Sequence, residues 1–191
     1  MSEKRFNPAK LAKLDNPERR KALPPEKLLA MLPINNQDAI LDIGAGTGYF
    51  AIPAAKITKG TVYALDVAPQ MLAVLQERVE EAGVANVQYV EGVIEEIPLP
   101  DQLVEHVIAS LVLHEVEPLD RGLQEIYRLL KPGGTCFCLE WEKKETEQGP
   151  PLDHRIGSSE LAEAFASAGF EIVARHFPTD AHYILVARKS E

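Results

Sequence analysis

Three glycines at alternate positions, Gly44, Gly46 and Gly48, follow Asp42 at the end of an aliphatic run in ILDIGAGTGYF (40–50). Glycines so spaced let a backbone turn tightly and come close to a ligand, with the N–H groups of a following helix aimed at it. Eighteen residues beyond Gly48 stands Asp66, at the end of a second aliphatic run, YALDV. A carboxylate there can accept hydrogen bonds from both hydroxyls of a ribose, a charge-assisted contact of about 1.5–3 kcal/mol. The same acid could instead cap the helix that opens at Ala68-Pro69. Two nucleotide fingerprints fail here. The dinucleotide pattern G-x-G-x-x-G meets Tyr49 or Ala51 where its last glycine belongs, and no Lys-Ser or Lys-Thr pair follows to build a phosphate loop.

Loops of this kind need strands to carry them. AILDIGA (39–45), TVYALDV (61–67), VQYVEGV (87–93), VEHVIASLV (104–112) and TCFCLEW (135–141) are short, apolar and rich in β-branched and aromatic residues, as buried strands are. Between them Met71, Leu75, Val79 and Ala82 recur at helical spacing before Gly83. Leu119, Leu123, Ile126 and Leu130 do the same before the turn Lys131-Pro132-Gly133-Gly134. Ser158 or Ser159 opens a further helix with Leu161, Phe165 and Ala168. FEIVARHF and AHYILVARK then form a hairpin around Pro178-Thr179-Asp180, which forces one strand to run antiparallel. The expected fold is α/β: a doubly wound, mostly parallel, seven-stranded, Rossmann-like sheet with a C-terminal antiparallel hairpin strand. At 191 residues the chain is one domain, 1–191, with residues 1–33 as an N-terminal helical cap. Glu142 to Gly157, with EQGPPLDHRIG, is a loop at the strand ends where ligands bind.

A net charge of −9 disfavours a nucleic-acid partner, since phosphate contacts need clustered cations. The N-terminal basic residues Lys10, Lys13, Arg19, Arg20 and Lys21 are interrupted by acids and read as a solvated helix face. No apolar run reaches the ~20 residues of a membrane span, and no secretion signal opens the chain, so a cytoplasmic protein is expected. Cys136 and Cys138 offer too few partners for a metal site or a disulfide and read as reduced core thiols. Oligomeric state is not legible.

With these residues in hand, the chain from about Pro24 onward resembles the class I S-adenosylmethionine-dependent methyltransferases. ILDIGAGTGYFA is similar to their first motif, YALDVAPQML to their ribose segment, EGVIEEIPLPD to their adenine segment, and EIYRLLKPGGTCFCLEW to their approach to the fifth strand. The resemblance implies S-adenosyl-L-methionine as cofactor, with Gly44, Ala45, Gly46 and Gly48 along its methionine and ribose. It further implies that Asp66 holds the ribose hydroxyls, and that Val67 and Met71 flank the adenine beside Gly92, Val93 and Ile94. Asp42 and Asp66 edge a crevice suited to a sulfonium cation. Val93 stands where the family often has an acid for the adenine amino group, which implies weaker cofactor affinity. Tyr49, free of any pyrophosphate constraint, is expected to pack rather than to cover the methyl group.

The resemblance also implies a reaction: transfer of the methyl group to a small-molecule acceptor by in-line displacement, as in the ubiquinone and menaquinone biosynthesis group. Ser110 and His114, just after the fourth strand, are then nearest the methyl group. His114 has the chemistry of a base, or else it orients the following helix. His154 and Arg155 could meet an anionic acceptor or form a surface ion pair. The competing class is a protein that binds S-adenosylmethionine without catalysis, for which the missing adenine acid speaks.

Overall fold

The computed structural model describes residues 16–190. Seven strands make one sheet: β1 (Ile40–Ile43), β2 (Val62–Asp66), β3 (Val87–Glu91), β4 (Val104–Ser110), β5 (Leu130–Trp141), β6 (Phe170–Thr179) and β7 (His182–Lys189). Their order is β3-β2-β1-β4-β5-β7-β6. The first three strands step one way and β4 begins the other way, so a crevice opens beyond the carboxyl ends of β1 and β4. β1 to β5 pair in parallel, while β7 lies antiparallel to both β5 and β6. The expected single reversed strand is therefore β7, inserted between its neighbours.

Side chains alternate across the strands, and the two faces have separate cores. Ile40, Val62, Ala64, Ile108, Phe137 and Leu139 pack beneath α2 (Pro25–Leu29), α3 (Ala51–Ile57) and α4 (Pro69–Glu81). Leu41, Ile43, Leu65, Val107, Cys136 and Cys138 pack beneath α5 (Leu119–Leu129) and α6 (Ser158–Ser167). Both cysteines are free and fully buried, and burial pushes their thiols well up, so they behave as apolar filler. Each fully buried leucine or phenylalanine in these layers adds about 1.5–3 kcal/mol. Among the described residues no helix is long and apolar enough to cross a membrane.

β1, β3 and β4 each end two residues before the expected runs do, and two further boundaries depart in kind. Lys131 to Gly134 do not stand apart as a turn: β5 begins at Leu130, which pairs with Val104, and the next pairing is His106 with Thr135. Those four residues bulge out of the ladder, with Gly133 at φ +73°. The end of α5 is closed from elsewhere by Lys189, whose Nζ donates to the carbonyls of Tyr127 and Leu130 at 2.7 and 2.8 Å. The hairpin turn is tighter than expected, with Thr179 paired to His182 and only Asp180 and Ala181 between. Pro178 lies within the edge strand, where a missing N–H costs little. Of the N-terminal cap, α1 (Pro17–Ala22) and α2 are described; Lys10 and Lys13 lie outside the described residues.

Candidate functional site

β1 ends at Ile43 and the chain enters the glycine loop with Gly44, Gly46 and Gly48 at φ +65°, +53° and +90°. At Gly44 an added Cβ would lie 2.6 Å from Val112 Cγ2, and at Gly48 it would lie 2.4 Å from Leu75 Cδ1. Backbone conformation and close approach both require glycine there. Two bonds moor the loop to β2: Ala45 N–H donates to the Leu65 carbonyl, and Gly46 N–H to Asp66 Oδ2, each at 2.9 Å. Asp66 Oδ1 accepts from the Ala68 N–H at 2.9 Å, so one carboxylate braces both the loop and the start of α4. Burial raises the Asp66 carboxyl above its ordinary range, against the pull of these backbone donors. The Val67 N–H is a third backbone donor to the same carboxylate, so of its about four acceptor positions about one remains for a hydroxyl.

Asp42 and Ser110 carry a second observation. Both lie on the α3 face of neighbouring strands, in step with Ile40 and Ile108 by the alternation of side chains. Asp42 is 2% exposed, and its Oδ2, like Ser110 Oγ, is buried without a hydrogen-bond partner. Burial pushes the Asp42 carboxyl up to about 8, and repulsion from Asp66 adds to this; the Ala51 N–H and Arg19 act in the opposite sense. Unpaired buried polar atoms cost free energy, so their presence at the head of a crevice marks a place for a polar ligand. These orphaned atoms and the glycine cradle fit a cationic sulfonium and amino-acid moiety in charge and in close backbone approach.

On the β2 and β3 side, Val67 is 43% exposed at the rim, while Met71 is buried in the first turn of α4. Gly92 N–H donates to the Asp66 carbonyl at 3.2 Å, fixing the chain after β3 beside the carboxylate. Val93 closes an isolated bridge with Glu96, and Ile94 packs toward Gly122 of α5. The described geometry thus gathers Asp42, Gly44 to Gly48, Asp66, Val67, Met71, Gly92, Val93, Ile94 and Ser110 at one carboxyl edge of the sheet. Tyr49 packs, as expected: its hydroxyl donates to the Leu23 carbonyl at 2.8 Å, with the Arg19 guanidinium 4.2 Å above its ring.

After Ser110 the chain passes through Leu111, a non-glycine residue at φ +56°, whose N–H donates to the Leu139 carbonyl at 2.7 Å. A left-handed residue of this kind costs about 1–2 kcal/mol. It sets Val112 against Gly44 and leads into a 3-10 turn, Leu113–Glu115. There His114 is buried, with Nδ1 3.0 and 2.9 Å from the two carboxylate oxygens of Glu140 on β5. Burial pulls the imidazole pKa down, but the charge and hydrogen bond of Glu140 outweigh it and leave the value raised. Sequence reasoning missed Glu140. Its signal was an acid inside the apolar run TCFCLEW, a placement that nearly always means a partner.

Arg155 meets neither of its two expectations. Only 5% exposed, it donates to the carbonyls of Pro150, Lys144 and Gln148 at 2.9, 2.7 and 3.0 Å, with Glu142 at 3.4 Å. The 142–157 loop winds around its guanidinium, which also lies 5.2 Å from the Trp141 ring. The half-buried His154 ends a short 3-10 turn in this loop.

Residues 41–138 match the family described as the methyltransferase domain. Over 111 residues the chain is 41% identical to the malonyl-[acyl-carrier protein] O-methyltransferase of Marinomonas sp., covering 57% of this chain and 40% of that protein. It is 37% identical over 107 residues to the ubiquinone/menaquinone biosynthesis C-methyltransferase of Vibrio cholerae, covering 54% and 41%. The chain therefore spans well under half the length of these curated relatives. A solved S-adenosylmethionine-dependent methyltransferase from Aquifex aeolicus superposes with a TM-score of 0.90 at 29% identity, covering 96% of this chain and 99% of that one. With the family match extending over just over half of the residues, the chain belongs to the class I methyltransferase-domain family, and its cofactor is S-adenosylmethionine.

Proposed function

We propose that this protein transfers the methyl group of S-adenosylmethionine to a small-molecule acceptor. The observation that carries this reading is the pair of orphaned polar atoms, Asp42 Oδ2 and Ser110 Oγ, beside the glycine loop at the reversal of strand order. Bound there, the cofactor supplies an electrophilic methyl carbon on a sulfonium. The chain's own residues do the rest. Gly44, Ala45, Gly46 and Gly48 give close backbone approach, Asp66 accepts from a sugar hydroxyl, and the Asp42 carboxyl, which burial holds largely protonated in cofactor-free protein, releases its proton when a cation sits opposite it. Val67, Met71, Gly92, Val93 and Ile94 flank the base. His114 stands past the end of β4 as the group that takes a proton from the acceptor. Both curated relatives above are named for acyl-carrier or quinone substrates, which supports a small acceptor, and a net charge of −9 argues against a nucleic-acid one.

The test is incubation with methyl-labelled S-adenosylmethionine and a panel of phenols, quinols and acyl thioesters. Formation of S-adenosylhomocysteine together with a labelled product supports the reading. Tight cofactor binding with no product across the panel favours the non-catalytic binding protein instead.

A further inference from the structure

His114 and Glu140 are 26 residues apart and meet only because β4 and β5 are neighbours. The Glu140 side chain is 1% exposed, and it is clamped. Besides His114 Nδ1, its Oε1 accepts from the His114 backbone N–H at 3.3 Å and its Oε2 from the Trp141 N–H at 3.1 Å. A carboxylate can only accept, so the imidazole proton it meets must sit on Nδ1, and the lone pair is left on Nε2. Among the described residues Nε2 makes no hydrogen bond: the Glu115 carboxylate is 3.9 Å away, and the side chain keeps 7% of its surface exposed.

We propose that Glu140 is a positioning residue that presents His114 Nε2 as a proton acceptor, so that the methyl acceptor is a protic nucleophile, a hydroxyl or an acidic carbon. This rests on the methyltransferase reading above. The acceptor's proton passes to Nε2, its electron pair forms the bond to the methyl carbon, and the sulfur keeps the pair of the bond that breaks. The imidazolium so formed faces Glu140 and, on its own turn, Glu115, with Arg155 of the 142–157 loop as the opposing charge. Glu140 is in turn faced by Cys138 on its own strand and by His182 and Tyr183 of β7. An acceptor that already has a lone pair and no proton would have no use for this arrangement.

The experiment is a nitrogen-15 NMR titration of the imidazoles in the full chain, with His114 assigned through an H114N variant. It is run on free protein, with S-adenosylhomocysteine and with S-adenosylmethionine. The two ligands differ in the sulfonium charge, so a histidine that faces the methyl group should titrate about one unit lower with S-adenosylmethionine than with S-adenosylhomocysteine. A histidine with a purely structural role would not distinguish them. The expected result is an Nδ1–H tautomer, this difference between the ligands, and a lower His114 pKa in E140Q. An Nε2–H tautomer, or identical His114 titrations with both ligands while the Gly44, Gly46 and Gly48 amides shift, overturns the proposal and leaves cofactor binding standing. Unmoved glycine amides would overturn the cofactor reading itself. The tautomer and the ligand comparison need no variant at position 140, so a folding defect in E140Q does not rescue the idea.

Discussion

An Asp42→Asn substitution should make the cofactor-free protein more stable, by an amount that grows with pH. Asp42 is buried, its Oδ2 has no partner, and its carboxyl is raised from 3.8 to about 8. A folded-state value above the unfolded one means that folded protein holds a proton the unfolded chain has released. The stability this contributes is complete below pH 3.8 and is lost as pH rises through about 8. Each unit between those limits removes about 1.4 kcal/mol, so the ceiling at pH 7 is about 4 kcal/mol. Asparagine has nearly the shape of the protonated acid and no such proton, so it escapes the loss. The assay is urea unfolding of parent and variant at pH 5, 6, 7 and 8, in which titrating groups that do not interact with Asp42 cancel in the difference, while Asp66, which repels it, is relieved in the variant and adds in the same direction. A difference that widens by about 1 kcal/mol per unit supports the reasoning. One that is flat across this range, or a variant less stable than the parent at pH 8, refutes it. The same acid is useful only against a cation, and S-adenosylmethionine should raise the melting temperature of the parent more than that of the variant.

Two further outcomes are expected. Asp66→Ala removes the acceptor for both the Gly46 and Ala68 N–H groups, each bond worth up to about 1.5–3 kcal/mol. Calorimetry with S-adenosylhomocysteine should show affinity falling at least about tenfold, and an affinity equal to the parent's would remove Asp66 from the site. Arg155→Ala leaves the carbonyls it gathers without their donor and should cost about 2–3 kcal/mol. Trypsin should then cut after Lys144 faster than in the parent, and an unchanged cleavage rate would mean that the loop holds itself.

Local chemistry was legible and cross-strand chemistry was not. The glycine loop and Asp66 lie in two short segments whose residue types announce close approach and hydrogen-bond acceptance, and the doubly wound, mostly parallel sheet follows from alternating elements. That one strand runs antiparallel follows too, because two strands with a short turn admit no other arrangement, but that it is β7, inserted beside β5, only the structure shows. Glu140 was invisible as a partner because its bond to His114 depends on the pairing of β4 with β5 and on the parity of one residue in the strand. Arg155 misled for a related reason. Its acceptors are backbone carbonyls, which no side-chain pattern encodes, so a charged residue in a Pro-Pro loop looked like a ligand contact or a surface ion pair. The Lys131–Gly134 segment reads as a helix breaker, but the ladder resumes on both sides of it, and only the register of β4 reveals that.

Leu111's left-handed backbone has a reach beyond its own residue. It lays Val112 on Gly44, two positions before His114, so the glycine loop and the turn holding the imidazole share a single wall. Enlarging position 44 would push on Val112 and so displace His114 as well as distort the glycine loop. Conversely, any change to residues 111–114 must preserve the footprint of the Val112 methyls, or the glycine loop and the imidazole will shift out of register together.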